Sequence, residues 1–436
     1  MAKAKKSKLT IEDALVPVDE QEYDIPNNWI WIYQNIACQL SDGEKKSGEE
    51  YPYLEVKYLR GNIDAEIKDS GKFITSNTKV ILVDGENSGE VFEVLEDGYM
   101  GSTFKVLNIS EGINEKYLLY YVDSKRELLR NNKTGSAIPH LNKKLFFSLG
   151  FPLPPLAEQE RIVEQIENLF TQLDEAKEKA QLVVDNYEVR KTAIMYKAFT
   201  GELTAKWREE KGISTDTWKE KTLQEVCVMK ITDGTHKTPT YCEENEGIPF
   251  ISAKDVNGGF INWENIKYIP HTLHEELYSR LAPQVDDVLL SKNGAKLGVA
   301  AIVDCEKIFD IYVTLALLRP NTDIILPRFL LNIINSPICR RQIDNHLTGI
   351  GMPNLHLRDI KEILISIPTL EEQAIIIEIV DNLNYKENQV KNSAEYVIEK
   401  IEELKKSILA KAFRGELGTN IETEESALEL LKSILK

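Results

Sequence analysis

Lys197-Ala198-Phe199-Thr200-Gly201-Glu202-Leu203 returns 214 residues later as Lys411-Ala412-Phe413-Arg414-Gly415-Glu416-Leu417. The same offset links Pro154-Pro155-Leu156-Ala157-Glu158-Gln159 to Pro368-Thr369-Leu370-Glu371-Glu372-Gln373, and Thr134-Gly135…Pro139-His140-Leu141 to Thr348-Gly349…Pro353-Asn354-Leu355. From Thr134 to Leu203, about 24 of roughly 70 positions are identical with their counterparts, with no insertion or deletion. A period this long means a duplicated domain with its helix, not a solenoid of short repeats. A duplicated chain has two copies of whatever it does, so a target that it binds should have two parts.

Within the repeat the pattern is helical. Ile166, Leu169, Leu173, Ala176, Ala180, Val183 and Tyr187 recur in steps of three and four, and so do Val390, Ala394, Val397, Ile401, Leu404 and Ile408. That spacing predicts the a/d seam of a coiled coil. Proline precedes each stretch, as at helix starts, and Gly201 and Gly415 suit helix stops. Each helix should run about 40 residues, roughly 60 Å at 1.5 Å per residue.

The regions between the helices read as mixed α/β. Val80–Val83, the turn Asp84–Gly89 and Val91-Phe92 form strand, turn, strand. Asp287–Leu290, Ser291–Gly294 and Val299–Val303 repeat that plan. Each hairpin leads to a further apolar strand (Phe104–Leu107, Val313–Leu318) and then a helix around Tyr117–Tyr121 or Phe329–Leu331. The plan is shared and the residues diverge, which suggests two recognitions on one frame. Leu203–Asp216 reads as the hinge between copies.

Composition sets the limits. With 436 residues, 42% hydrophobic and 28% charged, the chain can build two or three domains with real cores. No stretch has the apolar length of a membrane span. The start, Met1 to Lys8, is basic and lacks the pattern of a signal peptide. Five cysteines without a CxxC pair favour a reducing cytoplasm and argue against zinc. A net charge of −17 points away from proteins that coat phosphates, although the acidic residues crowd onto the helices and a local basic patch is still allowed. There is no GxxxxGK[ST], GxSxG, HExxH or GxGxxG, no methyltransferase tetrapeptide, and no carboxylate pair marked out for acid–base work. Glu158-Gln159 and Glu372-Gln373 are therefore expected to be helix-start or frame contacts.

The order of arm, variable domain, Pro-x-Leu-x-Glu-Gln helix ending in Lys-Ala-Phe-x-Gly-Glu-Leu, second variable domain and second such helix carries a resemblance. So do Ala14-Leu15-Val16-Pro17, Ile25-Pro26-Asn27-Asn28-Trp29, Ile231–Pro239 with its Asp-Gly-Thr-His-Lys-Thr run, and Ile248–Asp255. The whole chain resembles the specificity subunit of Type I restriction–modification enzymes. One departure is that the first variable domain lacks the Asp-Gly-Thr-His-Lys-Thr run, so base contacts cannot be carried from one domain to the other. The resemblance implies an α+β chain with an internal pseudo-twofold repeat. Two α/β target recognition domains would be joined by two long antiparallel coiled-coil helices that set their separation. The divisions expected are an arm at 1–20, recognition domains at 21–153 and 213–367, and helical regions at 154–212 and 368–436. It implies a non-catalytic, cytoplasmic subunit that reads a bipartite, asymmetric target on double-stranded DNA. Two modification (methyltransferase) subunits and the restriction (translocase/endonuclease) subunits would be its partners. It would hold no cofactor or metal itself, with S-adenosylmethionine, ATP and magnesium on those partners. The competing readings are a cytoplasmic coiled-coil scaffold that binds proteins and, less compatible with the missing motifs, a fused enzyme.

Candidate DNA contacts follow from polar loops and lysines at strand–turn positions. In the second domain they are Thr235, His236, Lys237, Thr238, Lys254, Lys292, Asn293 and Lys296. In the first they are Lys45, Lys46, Lys57, Arg60, Glu86, Asn87, Ser88, Ser102 and Thr103, by analogy of position. An ordinary solvated loop is the competing explanation for each. Gly135, Gly349, Pro139 and Pro353 read as structural.

Overall fold

The structure is a computed structural model that describes residues 9–135, 139–347 and 353–436. The basic start and the repeated Thr348-Gly349 lie outside the described residues. The chain divides into two compact units, Met1–Ala180 with Tyr396–Lys436, and Gln181–Glu395. The last part of the chain thus belongs with the first domain.

In the first unit the expected hairpin forms: Lys79–Leu82 pairs antiparallel with Val91–Glu93, Val80 opposite Phe92. With Phe104–Ile109 and Cys38–Ser41 it makes a four-stranded sheet. Both faces are covered, which is why these strands read as continuous apolar runs. Alternation along the strand sends Ile81, Val83 and Leu107 into an inner core against the helices. Val80, Leu82 and Phe104 go into an outer core with Leu54, Ile74 and Met100. The outer core is wrapped by a closed barrel of Glu44–Leu54, Ile67–Ile74 and Gly98–Met100. The helix expected at Tyr117 runs Glu115–Ser124. It packs Tyr117 and Tyr121 against Phe413, each ring pair 5.3 Å apart.

The second unit repeats the wall. Val288–Ser291 pairs with Ala300–Ile302 and Leu315–Leu318, with Thr232–Asp233 at the edge. Val288, Leu290, Ala316 and Leu318 face the inner core with Phe199 and Phe329. Leu289, Ala301, Leu315 and Leu317 face an outer core with Ile251 and Phe309. The outer layer is of another kind here, a three-stranded sheet in the order Lys267–Pro270, Gly247–Ile251, Asp310–Ile311.

The first long helix spans Leu156–Asp185 and resumes at Tyr187–Phe199 after a small break at Asn186; the second runs 44 residues, Leu370–Phe413. They pair antiparallel within each unit: Asp174 meets Lys405 and Lys177 meets Glu402 in the first, while Tyr187 meets Asn388 and Arg190 meets Glu387 in the second. The expected seam is thinner than a full heptad ladder. Ala180, Ala394 and Ile401 are buried, whereas Val390, Val397 and Leu404 are exposed. Both helices stop at a left-handed glycine, φ 80° at Gly201 and 74° at Gly415. At Gly415 a β-carbon would also lie 2.4 Å from the Pro26 ring.

The repeated Glu-Gln pair fixes each helix start. Glu158 is fully buried and accepts from Trp29 Nε1 at 2.7 Å and Asn420 Nδ2 at 2.8 Å. Glu372 accepts from Trp218 Nε1 at 3.0 Å, Thr204 Oγ1 at 2.7 Å and Arg208 Nη1 at 2.5 Å. Gln159 Oε1 accepts from Asn114 N–H at 2.7 Å and Gln373 Oε1 from Leu326 N–H at 2.8 Å, each at the start of a domain helix. Their amides donate back to Pro154 O and Pro368 O, both at 3.0 Å. These are frame contacts, as expected from the sequence.

All five cysteines are free thiols. Burial pushes the Cys38 and Cys339 thiols up to about 12. The thiolate is the reactive species, so neither should react in the native protein at pH 8. A disulfide-exchange reagent should label both only after denaturation. Rapid native labelling of either would contradict the packing around it. Among the described residues, no helix is long and apolar enough to cross a membrane and no His/Cys/Asp/Glu group could hold a metal.

Candidate nucleic-acid interface

In the second unit, the loop after the edge strand is pinned at its base and open at its tip. Asp233 is buried and takes the Lys292 ammonium at 2.5 Å. Its other oxygen lies 3.3 Å from His236 Nε2. Gly234 lies flat on Ile311, where a β-carbon would be 1.9 Å from the Ile311 carbonyl oxygen. Thr235 is buried, donating its N–H to Ile311 O at 3.2 Å and accepting from Val313 N–H at 3.0 Å. Beyond it His236, Lys237 and Thr238 are exposed. Thr238 Oγ1 sits 3.4 Å from Tyr312 OH.

The other candidates in this unit divide in the same way. Lys292 is 6% exposed and its charge is neutralised by Asp233. Lys254 Nζ is paired with Asp255 and donates to Asn265 O at 3.2 Å. Lys296 Nζ donates to Lys254 O at 3.0 Å and to Asn257 Oδ1 at 2.5 Å. Asn293 lies between two cavities and lines both. One, of about 480 Å³, has Tyr241, Phe250 and Tyr312 as walls and Lys254, Lys267 and Lys296 at its rim. The other, of about 460 Å³, is lined by Asp233, His236, Lys292, Asn354 and His356. Loop, turn and cavities thus form one continuous surface. No salt bridge engages Lys237 or Lys267 among the described residues; Lys267 Nζ instead sits 4.0 Å from the centre of the Tyr241 ring.

In the first unit the candidates fall in separate places. Lys45 and Lys46 lie on the long hairpin, opposite Lys72 and Gly71. Lys46 is bonded to Glu49 at 2.8 Å and lies 4.4 Å from the Phe73 ring centre. The Glu49 hydrogen bond, joined by one to Tyr51, holds Lys46 above the usual lysine range. Lys57 is exposed on the short helix Val56–Leu59, and Arg60 at its end pairs with Glu90. Glu86 is exposed and paired with Lys133, Asn87 is half-exposed, and Ser88 is fully buried, its hydroxyl without a partner among the described residues. Ser102 is exposed, its N–H 3.3 Å from Tyr53 OH, and Thr103 O accepts from Val83 N–H at 2.8 Å. Lys72 and Lys105 are not open cations, because both bond to Asp42. Their hydrogen bonds, Lys105 first, hold that carboxyl down to about 2.

The sequence reading missed the pairs of lysine and aromatic ring. Lys267 over Tyr241 is one, and Lys68, 3.2 Å from the Tyr53 ring centre, is another. Lys68 meets Tyr53 across the paired strands Glu44–Leu54 and Ile67–Ile74, and Lys267 meets Tyr241 beside the bridge of Cys242 to Tyr268, contacts that no local pattern of residues displays.

Residues 21–183 and 215–400 match the pattern of the Type I restriction modification DNA specificity domain. Among curated proteins, the chain is 28% identical to the MjaVIII specificity subunit of Methanocaldococcus jannaschii, over 90% of this chain and 94% of that one. It is 23% identical to the EcoBI specificity subunit of Escherichia coli, over 94% and 92%. The HsdS subunit of Thermoanaerobacter tengcongensis shares the fold, with a TM-score of 0.59 at 20% identity over 92% of this chain and all of that one. A chain from a structure of type I R-M complex assembly does so with a TM-score of 0.66, at 20% identity over 91% and 100%. With both halves matched, the chain belongs to the Type I restriction modification DNA specificity domain family.

Proposed function

We propose that the chain is the sequence-reading subunit of a Type I restriction–modification assembly. It reads a two-part, asymmetric target on duplex DNA and performs no chemistry itself. One observation carries this reading: the two units share the inner wall and the Glu-Gln clamps but differ in the outer layer. A shared frame under unlike surfaces suits two half-site readers with different preferences. Open lysines such as Lys237 supply phosphate contacts, and residues around the cavities meet base edges. The overall charge of −17 is compatible with this, because binding needs only a local patch and partners can add positive charge. The partners are two methyltransferase subunits and the restriction subunits, which carry S-adenosylmethionine, ATP and magnesium, in the cytoplasm.

The test is selection from a random-sequence duplex pool by the complex of this chain with its host's methyltransferase subunits. A two-part consensus is expected; a pool without sequence preference favours the protein scaffold instead. The chain alone, given labelled S-adenosylmethionine and DNA, should transfer no methyl groups above a denatured control. Lys237→Ala in the complex should weaken binding similarly across sequences. It should also lower the slope of log affinity against log salt by about one unit, the value of one phosphate contact. Lys432→Ala, whose ammonium already pairs with Glu429, is the control. An unchanged slope would return the 235–238 loop to the role of a solvated turn.

A further inference from the structure

The cavity walled by Tyr241, Phe250 and Tyr312 lies on the outer sheet of the second unit. Strand register makes it: Phe250 stands opposite Lys267 in the antiparallel pair, so both side chains rise on one face of the outer sheet. Tyr312 follows the strand Asp310–Ile311 on the other side, its ring centre 5.8 Å from that of Phe250. The walls are aromatic and the rim is cationic, yet the rim cations are not equivalent. Lys254 and Lys296 already have acceptors. Among the described residues Lys267 has no acceptor, and the Tyr241 ring lies beneath it at 4.0 Å. That ring holds the ammonium at the cavity mouth while leaving its protons free.

The rim cation without a protein acceptor is therefore Lys267, set beside apolar walls, with the Asn293 amide lining the same cavity. In the major groove, cytosine offers an amino donor, which an ammonium cannot use, and adenine adds the same kind of donor to its acceptor. Guanine offers two acceptors and no apolar group. Thymine offers one acceptor, O4, beside a methyl group, which matches the Lys267 donor beside one apolar wall. We propose that this cavity reads a thymine in the half-site of the second unit, with Lys267 donating to O4 and the 5-methyl lodged against Tyr241 and Tyr312. This rests on the sequence-reading role above and adds to it the base and the residues.

The experiment uses the full chain in its complex, on the consensus duplex obtained by selection. Each thymine of both half-sites, on either strand, is replaced singly by deoxyuridine, which removes only the methyl. One position in one half-site should bind about fourfold more weakly, the worth of one buried methyl. Tyr241→Ala, a substitution at an exposed residue, should abolish that sensitivity. Lys267→Ala should lower the preference for thymine at the same position about tenfold, with the other half-site unchanged in both variants. A flat scan, a half-site without a T·A pair, or a sensitivity that survives both variants would each overturn the proposal. Failure of the unaltered complex to select any sequence would instead overturn the sequence-reading role.

Discussion

Glu372→Ala should destabilise the unit Gln181–Glu395 by about 3–5 kcal/mol, the cost of breaking a buried ion pair by removing one partner. Glu372 is 1% exposed and its carboxylate joins three donors: Thr204, Arg208 and Trp218. Without it the Arg208 guanidinium, itself 6% exposed, remains buried with no counter-charge. Most of the loss is that stranded charge, so adding Arg208→Met should recover a large part of it. Lys177→Ala should cost under about 1 kcal/mol, because Lys177 and Glu402 are 40% and 55% exposed and water screens them. Denaturant unfolding should be followed by probes in both units, since the two need not melt together. Equal losses for Glu372→Ala and Lys177→Ala would show that the clamp is not what fixes the helix start.

What the sequence made legible follows from how each element is stabilised. Val288–Ser291 was readable because a strand covered on both faces must be apolar throughout. The helices were readable because their period survives in both copies, and Glu158-Gln159 because the repeat kept it where no chemistry required it. Strand Glu44–Leu54 was not readable. Its sequence, EKKSGEEYPYL, has exposed polar residues on both sides of the pleat, since the small barrel that it closes is held by Tyr51, Phe73 and Tyr99 packing on one another. Lys292 looked like an open cation in a polar turn, but its partner Asp233 is 59 residues away. Lys267 looked like an ordinary strand residue, because Tyr241 reaches it only through the fold. Val390, Val397 and Leu404 kept the seam's spacing although the partner helix leaves them exposed. Local period shows which face is apolar and not how much of it the chain itself covers.

Gly234→Ala should cost the complex its preference at one half-site and leave the other intact. A β-carbon at 234 would stand 1.9 Å from Ile311 O and 2.4 Å from Ile311 C, both backbone atoms that no rotamer change can move. Either the edge strand Thr232–Asp233 lifts, or the segment Asp310–Ile311 yields. Overpacking of this kind costs about 1–3 kcal/mol, so the unit should stay folded under native conditions. The loop that follows would shift all the same, because Thr235 is tied to Ile311 and Val313 through its own backbone. Lys237, Thr238 and the Tyr312 wall of the cavity all hang from those ties. The first unit has its own cores and its own hairpin, with no residue of this loop among them. Gly258→Ala is the control, since nothing lies within 4 Å of a β-carbon there. It should be neutral within about 0.5 kcal/mol and keep the full consensus. Selection of random duplexes by each variant complex gives the answer. A Gly234→Ala complex that recovers the whole two-part consensus at undiminished affinity would exclude this loop from the reading surface.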